Sequence, residues 1–416
     1  MHESQTPPAK RPRLLVLAST YPRWRGDPEP GFVHELSKRL AECFETTVLC
    51  PHAPGAATRE TLDGVSVVRY RYAPERLETL VNDGGIVTNL RRNTWKFLLV
   101  PGFVIAQAWN AWRILRKKNV DVLHAHWLIP QGAIAAMLRL LPGRSPPFVV
   151  TSHGADLYSL NSAMLKWLKR SVIQSACAVT VVSETMYRTA NEIAPSAGNA
   201  VVQPMGVDLR ERFTPDPATL RSGDEILFVG RLVEKKGLRH LLDAMPSILA
   251  RRPAANLLIA GFGPEEAPLR YRVAELGLQS HVRFLGAVAQ ADLPNMYRRA
   301  ALFVAPFVKA SSGDQEGLGL VLVEAAGCGC PVLAGDVPAV GDVLGASSAR
   351  IVDPRQADVL ATAILNVLEN PQLAREQASA LREQLIDRFD WQNASSAYAT
   401  ILFKCVGAHE SSSRKI

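Results

Sequence analysis

Short apolar runs alternate with longer stretches of helical periodicity along nearly the whole chain. The runs are continuously apolar, which is typical of strands buried on both faces of a sheet. Strands that alternate with helices predict parallel sheets covered by helices. We predict strands over residues 14–19, 46–50, 65–70, 122–125, 148–151 and 178–182 in the first half, and 226–229, 256–260, 282–285, 302–305, 332–334 and 351–352 in the second.

The helical stretches follow many of these runs, and one segment without periodicity divides the chain. Residues 203–223 are rich in proline and glycine and form the best linker candidate. We therefore predict an α/β fold of two doubly wound, Rossmann-like domains that face each other across a cleft. The predicted helices cover residues 31–43, 132–141, 184–193, 238–251, 264–276, 318–327, 357–369 and 373–389, and the predicted units are a disordered tail (1–12), a first domain (13–205) and a second domain (206–390).

The excess of positive over negative charge is confined to the first half of the chain. Residues 1–200 hold 24 Lys and Arg against 15 Asp and Glu, whereas residues 201–416 hold 23 against 24. Such an excess indicates an anionic membrane surface or acceptor, or alternatively only a well-solvated surface. We expect no nucleic-acid partner, because neither interleaved basic and aromatic strands nor a helix-turn-helix pattern is present.

The longest apolar stretch, residues 97–115, is a poor membrane-spanning helix because it contains proline, glycine and polar residues. Trp95, Trp109 and Trp112 lie beside seven cations, which suits a helix lying on an anionic bilayer. The alternative is an ordinary surface helix packed on its domain. The apolar run 14–18 is too short for a signal peptide, so we do not expect secretion.

Six cysteines are present without a CxxC pair, and most lie in or beside apolar segments. We predict a reducing compartment, no disulfides and no structural zinc.

In the second half, three segments are typical of a site for phosphates and sugars. Glu316 and Glu324 flank Gly317, Leu318 and Gly319 at the start of an apolar helix, where free backbone N–H groups bind phosphates and the carboxylates can accept from hydroxyls. The sequence GRLVEKKG follows a predicted strand, so that its cations, Arg231 and Lys236, could clamp a pyrophosphate.

The third segment, with Gly261, opens a helix after a strand but lacks a full GxGxxG. It therefore does not favour a nicotinamide site. No Asp-x-Asp pair occurs anywhere in the chain. Because that pair commonly brings a metal to a nucleotide diphosphate, its absence favours charge stabilisation by side chains and helix dipoles. We therefore predict no metal and no cofactor.

In the first half, two loops follow predicted strands. His153 ends one strand, with Asp156 three residues later, and so is expected to face the cleft. The other loop carries Arg23 and Trp24, a plausible platform for an acceptor, and ends at Gly31, where the backbone could approach a sugar phosphate.

Taken together, these segments resemble the family 4 retaining glycosyltransferases, which have GT-B architecture. Each segment is weak alone, but the ordered set is specific and covers nearly the whole chain. The segments are YPRWRGDPEPGF, HAHW, HGAD, VVSE, MGVD, VGRLVEKKG, GFGP, VRFLG and EGLGLVLVEA. Two positions depart from the pattern: Met205 stands where Asn is usual, and Gly341-Asp342 stands where Pro-Glu is frequent.

The resemblance implies a catalytic set and its neighbours. His153 would lie beside the transferred sugar, Arg231 and Lys236 would hold the pyrophosphate, Glu316 would contact the donor sugar, and Glu324 the ribose. The other implied donor contacts are Gly31, Gly261, Leu285, Gly317, Leu318 and Gly319, the implied acceptor contacts are Arg23, Trp24 and Asp156, and residues 391–416 would form a helix that crosses back to the first domain plus a polar tail.

The function implied is transfer of a sugar from a UDP- or GDP-linked donor to a glycan acceptor, with retention and by front-side attack. The branch resembled assembles bacterial exopolysaccharide or lipopolysaccharide. We therefore expect a polyprenyl-linked acceptor and an enzyme held at the inner face of the cytoplasmic membrane by its basic first domain. The alternatives are a sugar-nucleotide epimerase on the same scaffold and an inactive polysaccharide-binding scaffold.

Overall fold

A computed structural model describes residues 11–27, 31–82, 85–141, 146–159, 162–345 and 350–413. Its first sheet has eight strands in the order β3-β4-β2-β1-β5-β6-β7-β8, parallel except for the antiparallel pair of β3 and β4. The strands are β1 (Arg13–Leu17), β2 (Glu45–Pro51), β3 (Arg59–Leu62), β4 (Val65–Tyr70), β5 (Val122–His126), β6 (Phe148–Ser152), β7 (Ala178–Val181) and β8 (Ala200–Val202).

The second sheet has six parallel strands in the order β11-β10-β9-β12-β13-β14. The strands are β9 (Glu225–Val229), β10 (Asn256–Ala260), β11 (Val282–Gly286), β12 (Leu302–Ala305), β13 (Val332–Gly335) and β14 (Ile351–Val352). Each sheet reverses its strand order beside its first strand, and such switch points place a crevice beyond the carboxyl ends of the strands.

Helices cover both sheets. They are α1 (Phe32–Leu40), α2 (Gly85–Arg92), α3 (Leu99–Lys117), α4 (Ala133–Leu138), α5 (Ala155–Tyr158), α6 (Ala163–Ser175), α7 (Glu184–Ile193), α8 (Leu238–Arg251), α9 (Glu266–Glu275), α10 (Leu293–Arg299), α11 (Leu320–Gly327), α12 (Pro338–Leu344), α13 (Ala357–Glu369), α14 (Pro371–Phe389) and α15 (Trp391–Ser413). In the first domain α3, α4, α6 and α7 pack side by side, whereas α1 packs against α15. The predicted fold class, two parallel-sheet α/β domains, is confirmed.

The central strands are buried because they are covered on both sides. All five residues of β5, β6 and β9 are buried. This explains why continuous apolar runs mark them in the sequence. The carboxyl ends of these strands carry the loops predicted to hold the site.

The chain crosses between the two domains twice, and the crossings pair with each other. Val207 N donates to Phe389 O at 2.7 Å, and Trp391 N donates to Val207 O at 3.1 Å. The Asp390 carboxylate accepts from Leu209 N at 3.2 Å. From this point α15 runs back over the first sheet, where Phe403 stacks on Phe44 at 4.5 Å between ring centroids.

Replacing Gly206 with alanine is expected to destabilise this crossing. A Cβ there would lie 2.5 Å from ring atoms of the buried Trp391. Overpacking of this kind costs about 1–3 kcal/mol of unfolding free energy, to be measured by urea denaturation. The control is Gly407→Ala on α15, where a Cβ meets nothing within 4 Å. Equal stability of the two variants would contradict the packing described.

The cysteine prediction needs a correction. Cys177 and Cys405 form a disulfide that joins the start of the β7 segment to α15, with a Cα–Cα distance of 6.0 Å. The two residues are 228 positions apart, so only the return of the terminal helix brings them together. Cys43, Cys50, Cys328 and Cys330 are free.

One helical stretch among the described residues, Thr94–Lys117, is long and apolar enough to cross a membrane by length and composition. Only 22% of its most apolar window is buried inside the protein. Yet Gln107, within α3, is fully buried and donates to Ala18 O at 3.2 Å. α3 is thus packed on the first sheet by one face and exposes the other.

Candidate active site

The two domains meet where the loop after β6 contacts the loop before α11. A Cβ built on Gly317 would lie 2.8 Å from His153 O, and one on Gly154 would lie 3.2 Å from Gly317 Cα. Gly154 also has a φ of 108°, which favours glycine. Two predicted site segments from opposite domains therefore touch through bare backbone.

Lys236 and Glu316 form an ion pair just beside this contact. Lys236 Nζ lies 2.7 Å from Glu316 Oε2, and the two side chains are only 13% and 15% exposed. Burial raises the pKa of Glu316, but Lys236, Lys235 and the Gly317 N–H outweigh it and lower the pKa to about 2. Lys236 Nζ also lies 4.5 Å from the ring centroid of Phe307, a cation–π contact. The site therefore holds a fixed carboxylate beside a fixed cation.

Two predicted donor contacts, Gly261 and Gly31, are glycines, but the fold requires glycine only at the first. Gly261 has a φ of 145°, and a Cβ on it would lie 1.9 Å from Gly230 O. The loop after β9, which leads to Arg231, packs too closely for any side chain there. Gly31 has an ordinary φ of −89° at the start of α1, with open space where a Cβ would be. The fold does not demand glycine at this position, which is consistent with the predicted close approach of a ligand.

Glu324 lies on α11 and accepts a hydrogen bond from the Tyr297 hydroxyl at 3.1 Å. Burial raises its pKa to about 7, although Tyr297, Arg212 and Lys236 oppose the rise. Glu316 and Glu324 thus have pKa values shifted in opposite directions, and groups with perturbed pKa values cluster at functional sites.

These shifts predict opposite effects of pH on stability. Because the folded pKa of Glu324 exceeds its ordinary value of 4.5, its contribution to stability falls as pH rises from 4.5 to about 7. The lowered pKa of Glu316 gives a contribution that is complete above pH 4.5 and is lost as pH falls toward about 2. Glu324→Gln should therefore be more stable than the wild type at pH 8 but not at pH 4.5, and Glu316→Gln should be less stable at pH 8.

Urea denaturation of the three proteins at both pH values measures this. A Glu324→Gln difference that does not change with pH would contradict the assignment.

His153 lies at the centre of an aromatic cluster. Its ring centroid is 4.8 Å from that of Phe32 and 5.0 Å from that of Trp127. Its Nε2 lies 3.0 Å from His126 Nδ1. Burial lowers the pKa of His153 to about 3, with a smaller effect from His124, so the ring is neutral at physiological pH.

Asp156, predicted as an acceptor contact, is buried and bound by the protein itself. One carboxylate oxygen accepts from Ser152 Oγ at 2.9 Å and from His153 N at 3.2 Å. The other accepts from Leu128 N at 2.7 Å. Its carboxylate thus fixes the two loops around His153, and contact with an acceptor stays a prediction.

The remaining predicted residues lie in three settings. Trp24 is 44% exposed, with the Arg23 guanidinium 4.6 Å from its ring centroid, as a platform requires. Arg23 is in turn paired with the buried Asp27 at 2.6 Å. Leu285 is half-buried on β11, and Leu318 is buried, so that only its backbone is available.

Sequence reasoning missed two features of the site. One is His126, which showed only as part of the HAHW motif. The other is the contact of Asp342 Oδ2 with Glu184 N at 2.9 Å, which links α12 to the start of α7 across the domains. Asp342 lies where we assigned no role, because the sequence departs there from the family pattern.

Among the described residues, no group of three or more His, Cys, Asp or Glu side chains is arranged to hold a metal ion. Lys236 and the backbone before α11 lie together in this site. That they and Arg231 face a diphosphate stays a prediction.

Comparisons with solved structures agree with this architecture. Sucrose-phosphate synthase from Thermosynechococcus elongatus matches with a TM-score of 0.76 at 22% identity, covering 96% of this chain and 100% of that one. Anabaena Alr3699/HepE in complex with UDP-glucose matches with a TM-score of 0.70 at 18% identity, covering 94% and 99%. These likenesses show the fold.

Sequence comparisons show the family. The phosphatidylinositol monomannoside mannosyltransferase of Mycolicibacterium smegmatis, described as GDP-mannose-dependent and alpha-(1-6), is 32% identical over 401 residues, 94% of this chain and 98% of that protein. The phosphatidyl-myo-inositol mannosyltransferase of the same organism is 33% identical over 295 residues, 70% and 72% of the two chains. The description "Glycosyltransferase Family 4" matches residues 32–211 and "Glycosyl transferases group 1" matches residues 214–384. The chain belongs to the group 1, family 4 glycosyltransferases and has the GT-B fold.

Proposed function

We propose that this protein is a retaining, metal-independent hexosyltransferase that moves a sugar from a nucleoside diphosphate to a lipid-linked glycan. The observation that carries the proposal is the buried Lys236–Glu316 pair, which lies at the contact between the domains. A cation fixed there can stabilise a departing diphosphate, while the neighbouring carboxylate accepts hydrogen bonds from sugar hydroxyls.

The first donor to test is GDP-mannose, since a relative that matches 94% of this chain is described as dependent on it. UDP-glucose is the second, because a structural neighbour was solved with it. Metal independence is proposed on the two cations, Arg231 and Lys236, and the helix end at Gly319. Retention is proposed on the family resemblance.

The acceptor is proposed to be lipid-linked because the outer layer of the first domain combines exposed apolar groups with cations. On α3, Ile105 is 67% exposed and Trp109 is 55% exposed. On α6, Trp167 is 66% exposed. Side chains of this kind beside cations suit an anionic bilayer. The exposed cations on these helices are Arg113, Arg116, Lys117, Lys166 and Arg170.

We propose that the protein lies at the inner face of the cytoplasmic membrane and acts in exopolysaccharide or lipopolysaccharide assembly; the exposed apolar and basic groups support membrane contact. The relatives named for phosphatidylinositol mannosides suggest a second anionic lipid acceptor to include in assays.

Trp109→Ser is expected to weaken binding to vesicles containing phosphatidylglycerol, because it removes an exposed aromatic group from α3. Co-sedimentation measures the bound fraction. The affinity for the vesicles should fall about tenfold, because one aromatic side chain can no longer be buried in the bilayer. The matched control is Tyr271→Ser, an exposed aromatic (74%) on the second domain. Equal binding of both variants would remove the support for this membrane face.

The donor proposal is tested by binding and hydrolysis of a panel of nucleotide sugars in EDTA. One sugar nucleotide should bind and be hydrolysed slowly, and Arg231→Ala and Glu316→Ala should each weaken this. Arg239→Ala, an exposed cation at the start of α8, is the matched control. The configuration at the anomeric carbon of the transfer product, read by NMR, tests retention.

The two alternatives give different results. An epimerase would convert the donor sugar without an acceptor and release no nucleotide. An inactive scaffold would bind no nucleotide sugar, or would bind one regardless of Arg231 and Glu316.

A further inference from the structure

Three histidine rings lie together behind the cleft. His124 and His126 come from β5, and His153 follows β6. The rings of His126 and His153 are nearly parallel, at 10° with centroids 5.3 Å apart. The centroids of His124 and His126 are 4.3 Å apart. Outside this cluster, His124 Nε2 lies 2.7 Å from Thr151 Oγ1, which fixes the innermost ring.

All three rings are neutral, because burial lowers each pKa well below its ordinary value. A neutral imidazole has one N–H donor and one bare nitrogen acceptor. The 3.0 Å contact between His126 Nδ1 and His153 Nε2 therefore has one of two proton arrangements. Either His126 donates to His153, or His153 donates to His126.

The other nitrogen of His126 distinguishes the two arrangements. His126 Nε2 is buried and has no hydrogen-bond partner among the described residues. If His126 accepted from His153, its own proton would be on this nitrogen as a buried, unpaired N–H. Unpaired buried N–H groups are rarer in proteins than unpaired acceptors. The proton of His126 therefore belongs on Nδ1, where it is donated to His153.

We infer that His126 is a positioning residue that holds His153 in the tautomer with its proton on Nδ1. His153 Nε2 is then occupied as an acceptor, and the N–H that remains for a ligand is on Nδ1. Phe32 and Trp127, at 4.8 and 5.0 Å from the His153 ring, restrict its rotation.

The consequence for the reaction rests on the proposed function. His153 would offer the donor sugar or the departing oxygen an uncharged N–H donor rather than a base. A fixed donor of this kind is ready before charge develops on the leaving group. The tautomer itself does not depend on the proposed function, so the two can fail separately.

The experiment is a long-range ¹H–¹⁵N NMR spectrum of the full chain labelled with ¹⁵N-histidine. His153 is assigned from the signal lost in His153→Gln. We expect a protonated Nδ1 and a bare Nε2 for His153, in the absence of any substrate. A wild-type spectrum with the His153 proton on Nε2 would overturn the inference without any variant.

Three variants then test the cause. His126→Phe removes the donor and should change the His153 tautomer, whereas His126→Asn keeps an N–H near Nδ1 and should preserve it. His124→Gln is the matched control, because it leaves the pair of His126 and His153 intact. An unchanged His153 signal in His126→Phe would also overturn the inference.

Turnover of the donor identified above gives the second readout. His126→Phe should lower kcat by about 10–100-fold, as when a hydrogen-bond partner that orients a metal-bound histidine is removed, with a smaller change in KM. His126→Asn should recover most of it. If the NMR result holds but no nucleotide sugar reacts, the proposed function fails and the positioning of His153 stands.

Discussion

Lys236→Met should lower kcat/KM for the donor by about 10²–10³-fold, the cost of removing one fixed group that stabilises transition-state charge. It should also lower the unfolding free energy by about 3–5 kcal/mol at pH 8, since it leaves a buried carboxylate unpaired. In this variant burial would still act to raise the pKa of Glu316, but the Lys236 cation would no longer lower it. Steady-state kinetics and urea denaturation measure the two effects.

Lys235→Met is the matched control. Lys235 Nζ pairs with Asp314 at 3.3 Å rather than with Glu316. The substitution therefore removes the same charge one residue away from Lys236. Comparable losses of activity and stability in both variants would mean that they depend on the overall positive charge of this loop and not on the Lys236–Glu316 pair. The double variant Lys236→Met/Glu316→Gln should recover stability but not activity.

Gly317→Ala should lower kcat by about 10²-fold while leaving affinity for the nucleoside diphosphate within a few-fold. The added methyl would lie 2.8 Å from His153 O and would hold the domains apart. A misplacement of the reacting groups by about 1 Å can cost this much. Single-turnover kinetics and calorimetry with GDP or UDP separate the two quantities.

Small-angle scattering with the bound nucleotide provides the structural check, since the variant should stay more open than the wild type. The control is again Gly407→Ala, where a Cβ is free of contacts. If Gly317→Ala loses nucleotide affinity in parallel with kcat, the loop before α11 is disrupted locally and closure is not the cause.

The buried strands could be predicted because burial on both faces leaves a continuous apolar run. β3, with the sequence RETL, could not, because it is a polar strand held only by its antiparallel partner. β8 could not be predicted either, because a partly exposed edge strand of three residues is too short to leave an apolar run. The disulfide was beyond prediction because its two cysteines meet only through the path of α15.

The site could be predicted only in part, because its contacts join residues that are distant in sequence. Lys236 and Glu316 were both singled out from local patterns, but their direct pairing depends on how the loops after β9 and β12 converge. Asp156 was predicted only as an acceptor contact, whereas its hydrogen bond from Leu128 N, 28 positions earlier, could not be predicted. Patterns in sequence identify chemical groups, whereas partners distant in sequence decide what each group does.

The pairing of the two crossings between domains constrains how the protein moves. Because Val207 is hydrogen-bonded to both Phe389 and Trp391, the two connections are tied to each other at one point. We expect the domains to open and close about these crossings, so that the side of the cleft away from them travels most. Substrates should therefore enter and products leave on the side of the cleft opposite these crossings.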